Sequence, residues 1–182
     1  KQKLENPAWH IHAGAPPAVG LPITFGLLLN LVSASNAEDK NRLWGFIRKY
    51  RPGATPERYP LLDQLAEYAV AYYHAFEKPK KVYRAPTGPE RAALDALSAG
   101  LEKMTAGATA EALQTLVYEA GKTNGFADNL KDWFKAIYEV LLGASQGPRF
   151  GGFIELYGIS ETRALIAKAL AGGLVSDKQA QS

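Results

Sequence analysis

Apolar residues recur at helical spacing along most of the chain. In the clearest repeat, from Leu130 to Leu141, apolar side chains stand at i, i+3, i+4, i+7, i+8 and i+11. The same spacing predicts a long helix that begins at Leu61, and no segment shows the alternation of a half-buried strand. The pattern predicts an all-α fold, a helical bundle, with the 130–141 helix at the centre of its second half.

Helix start and stop signals add further elements in the first half. Pro22 fits the first turn of a helix that begins at Leu21, because proline lacks only an N–H that this turn does not use. Asn36 fits the N-cap of a second helix that ends near Tyr50. Residues 1–20 contain several prolines and glycines, and we expect them to form an extended lead-in.

The second half has its own helix signals. Thr87 and Glu90 have the spacing of a capping box, and Thr109 and Ser160 each fit an N-cap. A basic, proline-containing connector at 77–89 precedes the first of these helices. We therefore predict two parts, residues 1–86 and 87–182, with a disordered tail at 172–182.

Positive charge is concentrated in the first part. Residues 1–86 contain twelve Lys and Arg against seven Asp and Glu, whereas residues 87–182 contain nine against eleven. Clustered cations can bind nucleic-acid phosphates by releasing counterions, although solvated helix ends give the same pattern. The charge distribution alone leaves both readings open.

Composition excludes several kinds of chemistry. The chain has no cysteine, which excludes disulfides, zinc fingers and thiol nucleophiles and fits a reducing cytoplasm. It also lacks a signal region and an apolar run of about 18 residues, so we expect neither secretion nor a membrane contact. Since the first residue is Lys1, we expect a piece of a longer protein.

Motifs for catalysis and metal binding are missing from the sequence. His10 and His12 have no third ligand nearby, so we expect no metal site, and we expect His74 to be structural. The sequence contains no phosphate-binding loop, no nucleophile elbow and no dinucleotide fingerprint. These observations predict a helical binding module without an active site.

One local cluster suggests contact with unpaired bases. The segment 147–153, Gly-Pro-Arg-Phe-Gly-Gly-Phe, places Arg149 between aromatic residues on a tight turn, shortly after a helix that carries Lys131 and Lys135. Aromatic planes stack on unpaired bases and guanidinium groups bond to their edges. The alternative is that Phe150 and Phe153 simply close the core.

Four stretches of the sequence carry a resemblance to a known family. They are residues 6–12 (Asn-Pro-Ala-Trp-His-Ile-His), 25–47 (from Phe-Gly-Leu-Leu-Leu-Asn to Leu-Trp-Gly-Phe-Ile), 133–143 (Trp-Phe-Lys-Ala-Ile-Tyr-Glu-Val-Leu-Leu-Gly) and 147–158 (from Gly-Pro-Arg-Phe-Gly-Gly to Leu-Tyr-Gly). In this order they resemble class I lysyl-tRNA synthetase downstream of its catalytic domain. The resemblance spans nearly the whole chain.

The resemblance implies a fold and a parent reaction. It implies a helical portion similar to the α-helix cage that receives the anticodon in some glutamyl-tRNA synthetases. The parent enzyme attaches lysine to tRNA(Lys) with ATP and Mg²⁺, and its catalytic domain precedes the helical portion. This chain lacks the HIGH and KMSKS signatures, so we expect it to bind tRNA without catalysis, without a cofactor of its own and as a monomer in the cytoplasm.

The resemblance also implies how the two parts divide the work. Residues 1–86 would form the junction and the inner tRNA arm, and residues 87–182 would form the anticodon cage. The expected base contacts are Arg149, Phe150, Phe153 and Trp133, although the place of Trp133 in the apolar stripe favours core packing for that residue. The expected phosphate contacts are Lys122, Lys131, Lys135, Arg42, Arg48, Lys49, Arg51, Lys80, Lys81 and Arg84. The alternative function is a helical protein-interaction domain that binds no nucleic acid.

Overall fold

All regular structure is helical within residues 20–180, the part of the chain that the computed structural model describes. The helices are α1 (Phe25–Ser35), α2 (Lys40–Tyr50), α3 (Pro60–Tyr72), α4 (Gly88–Glu102), α5 (Ala110–Gly121), α6 (Leu130–Ile137), α7 (Phe150–Tyr157), α8 (Ile159–Leu170) and α9 (Gly173–Ala180). Short π-helical turns follow three of them at Tyr73–Glu77, Lys122–Phe126 and Tyr138–Leu142, and a 3₁₀ turn spans Lys78–Lys80. The predicted all-α fold is confirmed.

Helix α7 lies at the centre of the bundle. It packs against α1, α2, α5 and α8, and six of its eight residues are buried. The sequence predicted instead that the 130–141 helix is central to the second half. That prediction is wrong because a strongly amphipathic helix keeps one face toward solvent, whereas α7 has a single charged residue, Glu155, and buries most of its surface.

Helices α5 and α7 pack backbone against backbone at Gly151. A Cβ at this position would lie 2.4 Å from the carbonyl oxygen of Ala110 and 2.7 Å from the backbone nitrogen of Gln114. The Gly151 N–H donates a 2.7 Å hydrogen bond to the side-chain oxygen of Gln114. The absence of a side chain at Gly151 therefore sets the distance between the two helices.

Two predicted helix starts are wrong in the first half. Thr24 caps α1 by accepting a hydrogen bond from the N–H of Leu27, so Pro22 precedes the helix. Asn36 ends α1 in a left-handed conformation with φ of 52°, which asparagine tolerates better than most residues, and Asp39 caps α2 instead. The predicted end of α2 near Tyr50 is confirmed.

In the second half the capping box of Thr87 and Glu90 and the N-cap at Thr109 are confirmed. Ser160 does not cap the last long helix, because α8 already begins at Ile159 after Gly158, whose φ of 107° reverses the chain. Helix α9 occupies most of the predicted disordered tail. It is held by an ion pair between Lys168 and Asp177 and by packing of Leu174 on the core.

Buried residues from both predicted parts of the chain form one continuous hydrophobic core. His74 has the expected structural position, since its Nε2 atom lies 2.9 Å from the carbonyl oxygen of Ala37 in the turn between α1 and α2. The predicted lead-in before Gly20, with His10 and His12, lies outside the described residues. No helix among the described residues combines the length and apolar character needed to cross a bilayer.

We predict that Gly151→Ala destabilises the chain by about 2 to 3 kcal/mol, because the new methyl group meets backbone atoms that cannot move independently of their helix. Gly152→Ala is the matched control, since its Cβ would touch only Leu27 at 3.9 Å. It should be neutral or stabilising by up to about 1 kcal/mol. Urea unfolding followed by circular dichroism measures both, and equal stability of the two variants would refute the packing argument.

Candidate nucleic-acid interface

The three aromatic side chains predicted to stack on bases are all buried. Trp133 and Phe153 are 0% exposed and Phe150 is 1% exposed. The Trp133 indole N–H donates a 2.9 Å hydrogen bond to the carbonyl oxygen of Val117. Stacking by these three residues is therefore a wrong prediction, because their rings fill the core: Phe150 and Phe153 lie on α7, and Trp133 packs against Gly121 and Phe126.

Arg149 has a position suited to the predicted base contact. It is the residue that precedes α7. Its side chain is exposed, and that side chain makes no hydrogen bond or ion pair within residues 20–180. The two residues before Arg149 are packed against neighbouring elements. Gly147 lies against the ring of Tyr138, and Pro148 packs next to Gly26 of α1. The guanidinium group of Arg149 thus projects from a fixed backbone.

The lysines predicted near the anticodon are also on the surface. Lys131 is exposed and has no ion pair within the described chain. Lys122 and Lys135 form only long pairs, at 3.5 Å to Glu119 and 3.7 Å to Glu139. Exposed pairs of this kind contribute little to stability, so a phosphate can replace the carboxylate at small cost.

A half-buried aromatic pair lies between these lysines and was missed by sequence reasoning. The rings of Tyr118 on α5 and Phe134 on α6 meet edge to face at 5.0 Å. Tyr118 is one helical turn from Lys122, and Phe134 is one turn from Lys131. The four residues, with Lys135 next to Phe134 on α6 and Arg149 from the neighbouring turn, are called the aromatic–basic face below.

The turn of Arg149 is joined to this face by contacts with both helices. Gly151 bonds to Gln114, which lies one turn before Tyr118 on α5, and Gly147 contacts Tyr138, which lies one turn after Phe134. Burial raises the pKa of the Tyr138 phenol well above its ordinary value, so this group is neutral. The face therefore combines exposed cations with aromatic rings, as sites for unpaired bases do.

Two of the cations predicted to bind phosphate in the first part already have partners within the chain. Lys81 is buried, and its ammonium group donates a 2.7 Å hydrogen bond to the carbonyl oxygen of Leu142. Arg84 binds Glu90 at 2.7 Å and Glu139 at 2.6 Å. Phosphate binding by these two residues is a wrong prediction, because both already join the connector to the second half.

The remaining cations of the first part are on the surface. Arg48, Lys49 and Lys80 are exposed and have no partner within the described residues. Arg42 donates to the carbonyl oxygen of Ser35 at 2.8 Å, and Arg51 lies 5.9 Å from the ring centre of Tyr50. The three unpaired side chains are the better candidates for phosphate contacts.

The contacts between Arg84 and Glu90 shift the pKa values of both groups. Hydrogen bonding to Glu90 raises the pKa of Arg84, so its charge is permanent. Burial would raise the pKa of Glu90, but hydrogen bonds from Arg84 and from the N–H of Thr87 outweigh it and lower the pKa below 4.5. The carboxylate therefore caps α4 and holds the connector at the same time.

A metal-dependent site has no support in this region. Residues 20–180 contain no group of three His, Cys, Asp or Glu side chains that could hold a metal ion. ATP and Mg²⁺ in the parent reaction remain expectations from the resemblance.

Known proteins similar to this chain are lysine–tRNA ligases. The ligase of Roseobacter denitrificans is 54% identical over 176 residues, which are 97% of this chain and 33% of the ligase. Those of Rickettsia felis and Rickettsia conorii are 46% and 44% identical over 166 residues, 91% of this chain and 31% and 32% of the ligases. No protein-family model matches the chain, and no solved structure matches it.

These relatives are aminoacyl-tRNA synthetases, and the chain spans about a third of their length. Nearly the whole chain is homologous to that third of a lysine–tRNA ligase, which confirms the resemblance to lysyl-tRNA synthetase seen in its motifs. The match is consistent with the C-terminal portion of the enzyme.

We predict that the chain loses stability in acid through Glu90. A carboxylate with a lowered pKa stabilises the fold fully above its ordinary value of 4.5, and this contribution is lost as the pH falls through the lower pKa of the folded state. Glu90→Gln should cost about 2 kcal/mol at pH 7 and flatten the decline below pH 4.5.

Urea unfolding between pH 7 and pH 2.5 tests this prediction. The control is Glu57→Gln, an exposed glutamate with no partner among the described residues, which should leave the pH profile unchanged. A Glu90→Gln profile with the same slope as the unmodified chain would show that the network contributes nothing to acid sensitivity.

Proposed function

We propose that this chain binds tRNA as part of a lysine–tRNA ligase and that its aromatic–basic face contacts the anticodon. The homology to lysine–tRNA ligases over 91–97% of the chain carries the proposal. The same face supplies what recognition of unpaired bases needs, namely rings for stacking and an arginine for hydrogen bonds to base edges. Catalysis, with ATP and Mg²⁺, would belong to the rest of the ligase.

The parts of the face would have different tasks. Arg149 is the candidate for base edges, because its guanidinium has five N–H donors and no internal partner within residues 20–180. Tyr118 and Phe134 are candidates for stacking, in place of the buried Trp133, Phe150 and Phe153. Lys122, Lys131 and Lys135 would contact phosphates, which position an RNA without reading its sequence.

The first part would extend the contact along the tRNA arm. Arg48, Lys49 and Lys80 are exposed cations there, and phosphate contacts by such residues are independent of base sequence. The net negative charge of the second part is compatible with this division, because base recognition depends on a few stacking and hydrogen-bonding groups and not on net charge. We further expect a monomer that functions in the cytoplasm.

We predict that Arg149→Ala weakens binding of a transcript with a lysine anticodon about tenfold and removes the preference over an anticodon-swapped transcript, because a lost base contact affects only the correct sequence. Fluorescence anisotropy across a salt series measures both affinities. Lys103→Ala is the charge-matched control, an exposed lysine with no partner in the described chain, at the end of α4.

Phe134→Leu should also weaken binding of the lysine-anticodon transcript several-fold, because leucine retains apolar volume but provides no ring for stacking. Circular dichroism must show an unchanged fold for this variant. Stacking is tolerant of base identity, so the anticodon preference should change less than in Arg149→Ala. Unchanged affinity in Phe134→Leu would remove the aromatic pair from the proposed site.

We predict a different result for Lys131→Ala. The substitution should weaken binding of both transcripts equally. It should also lower the slope of log affinity against log salt by about one, because one phosphate contact is lost. No salt-dependent binding of either transcript by the unmodified chain would instead favour the helical protein-interaction domain.

A further inference from the structure

Helix α3 and the π-helical turn that follows it have an apolar stripe on their exposed side. Its members follow one another at i, i+4, i+7, i+11 and i+15, and they are Leu61, Leu65, Tyr68, Tyr72 and Phe76. Tyr68 is 59% exposed, Phe76 56% and Leu61 38%. Phe25 of α1 extends the stripe, with its ring centre 5.6 Å from those of Tyr68 and Tyr72.

The stripe is separate from the face that α3 buries in the core. Ala66, Ala69 and Val70 form that buried face, together with Tyr73 just after the helix. A surface helix of a single domain is normally apolar on one face only. Large exposed apolar patches on otherwise soluble domains mark contacts with other macromolecules.

The composition of the stripe suits a protein surface better than a phosphate backbone. From Pro60 to Glu77 the chain has three acidic residues and no lysine or arginine. Lys40 of α2 is already paired, with Asp63 at 2.8 Å and Glu67 at 3.8 Å. The next cations along the chain, Lys78 and Lys80, follow Phe76 and so stand at one end of the stripe, whereas the rings and leucines along its length offer apolar area for a protein to cover.

We propose that the stripe docks against the catalytic part of the lysine–tRNA ligase, an inference that rests on the function proposed above. The matched relatives carry about two thirds of their length outside the region homologous to this chain. The stripe also lies where the preceding residues enter the bundle, since Gly20 is exposed and leads directly to Phe25. The spacing of Leu61, Leu65, Tyr68 and Tyr72 suits packing against a helix of the partner.

The proposal can be tested in a chimera in which this chain replaces the homologous third of the Roseobacter denitrificans ligase. Tyr68 is replaced by the photo-cross-linker p-benzoylphenylalanine, and cross-linked peptides are identified by mass spectrometry without tRNA. We expect cross-links to the catalytic part. The same replacement at the exposed Asp95 of α4 is the control and should give none.

Other cross-linking results would overturn the proposal. Cross-links between two isotope-labelled copies would make the stripe a dimer contact, and cross-links only to residues 1–19 would make it a contact within this chain. Addition of tRNA tests the third possibility, because cross-links to tRNA alone would assign the stripe to RNA. Charging of lysine tRNA by the unmodified chimera is measured separately, so failure of the proposed function is distinguishable from failure of this docking.

A second measurement does not depend on photochemistry. The chain contains no cysteine, so Tyr68→Cys and Asp95→Cys each introduce one defined thiol into it. Maleimide labelling of these thiols, read by mass spectrometry, should be fast for both in the isolated chain. In the chimera, labelling at position 68 should slow at least about tenfold, while position 95 is unaffected. Equal rates at position 68 in the two proteins would refute the docking.

Discussion

The bundle depends on the close approach of α5 and α7 at Gly151. A glycine at this point lets the mostly apolar helix α7 lie at the centre, where it touches four neighbours. The burial of Phe150 and Phe153 follows from that position, and so does the exposure of Arg149 just before the helix begins. One steric constraint therefore places both the core and the main candidate for base recognition.

The basic residues of the chain have two different functions in the fold. Lys81 and Arg84 fasten the connector to the carbonyl oxygen of Leu142 and to two glutamates, so part of the apparent nucleic-acid charge is structural. The cations that remain unpaired within residues 20–180 include Arg149 and Lys131, which border the half-buried rings of Tyr118 and Phe134. Once the cations that already have partners are set aside, the exposed positive charge that remains marks a defined surface.

Two exposed surfaces then differ in chemistry. The aromatic–basic face combines rings with free cations and fits RNA, while the stripe on α3 combines rings with nearby carboxylates and fits protein. A domain that receives tRNA on one surface and its catalytic partner on another needs such a difference, because charge then directs each partner to its own site.

The sequence by itself determined the helical class, the capping box at Thr87 and Glu90, and the relation to lysyl-tRNA synthetase, because periodicity, caps and motifs are local properties. It could not decide which of Trp133 and Phe134 is buried, since neighbouring helix positions differ by about 100° and both fitted one apolar stripe. Nor could it separate Arg84 from Arg149, because one of the two glutamates that bind Arg84, Glu139, comes from a distant segment of the chain. Only tertiary structure decides burial and pairing, since both depend on groups that folding brings together.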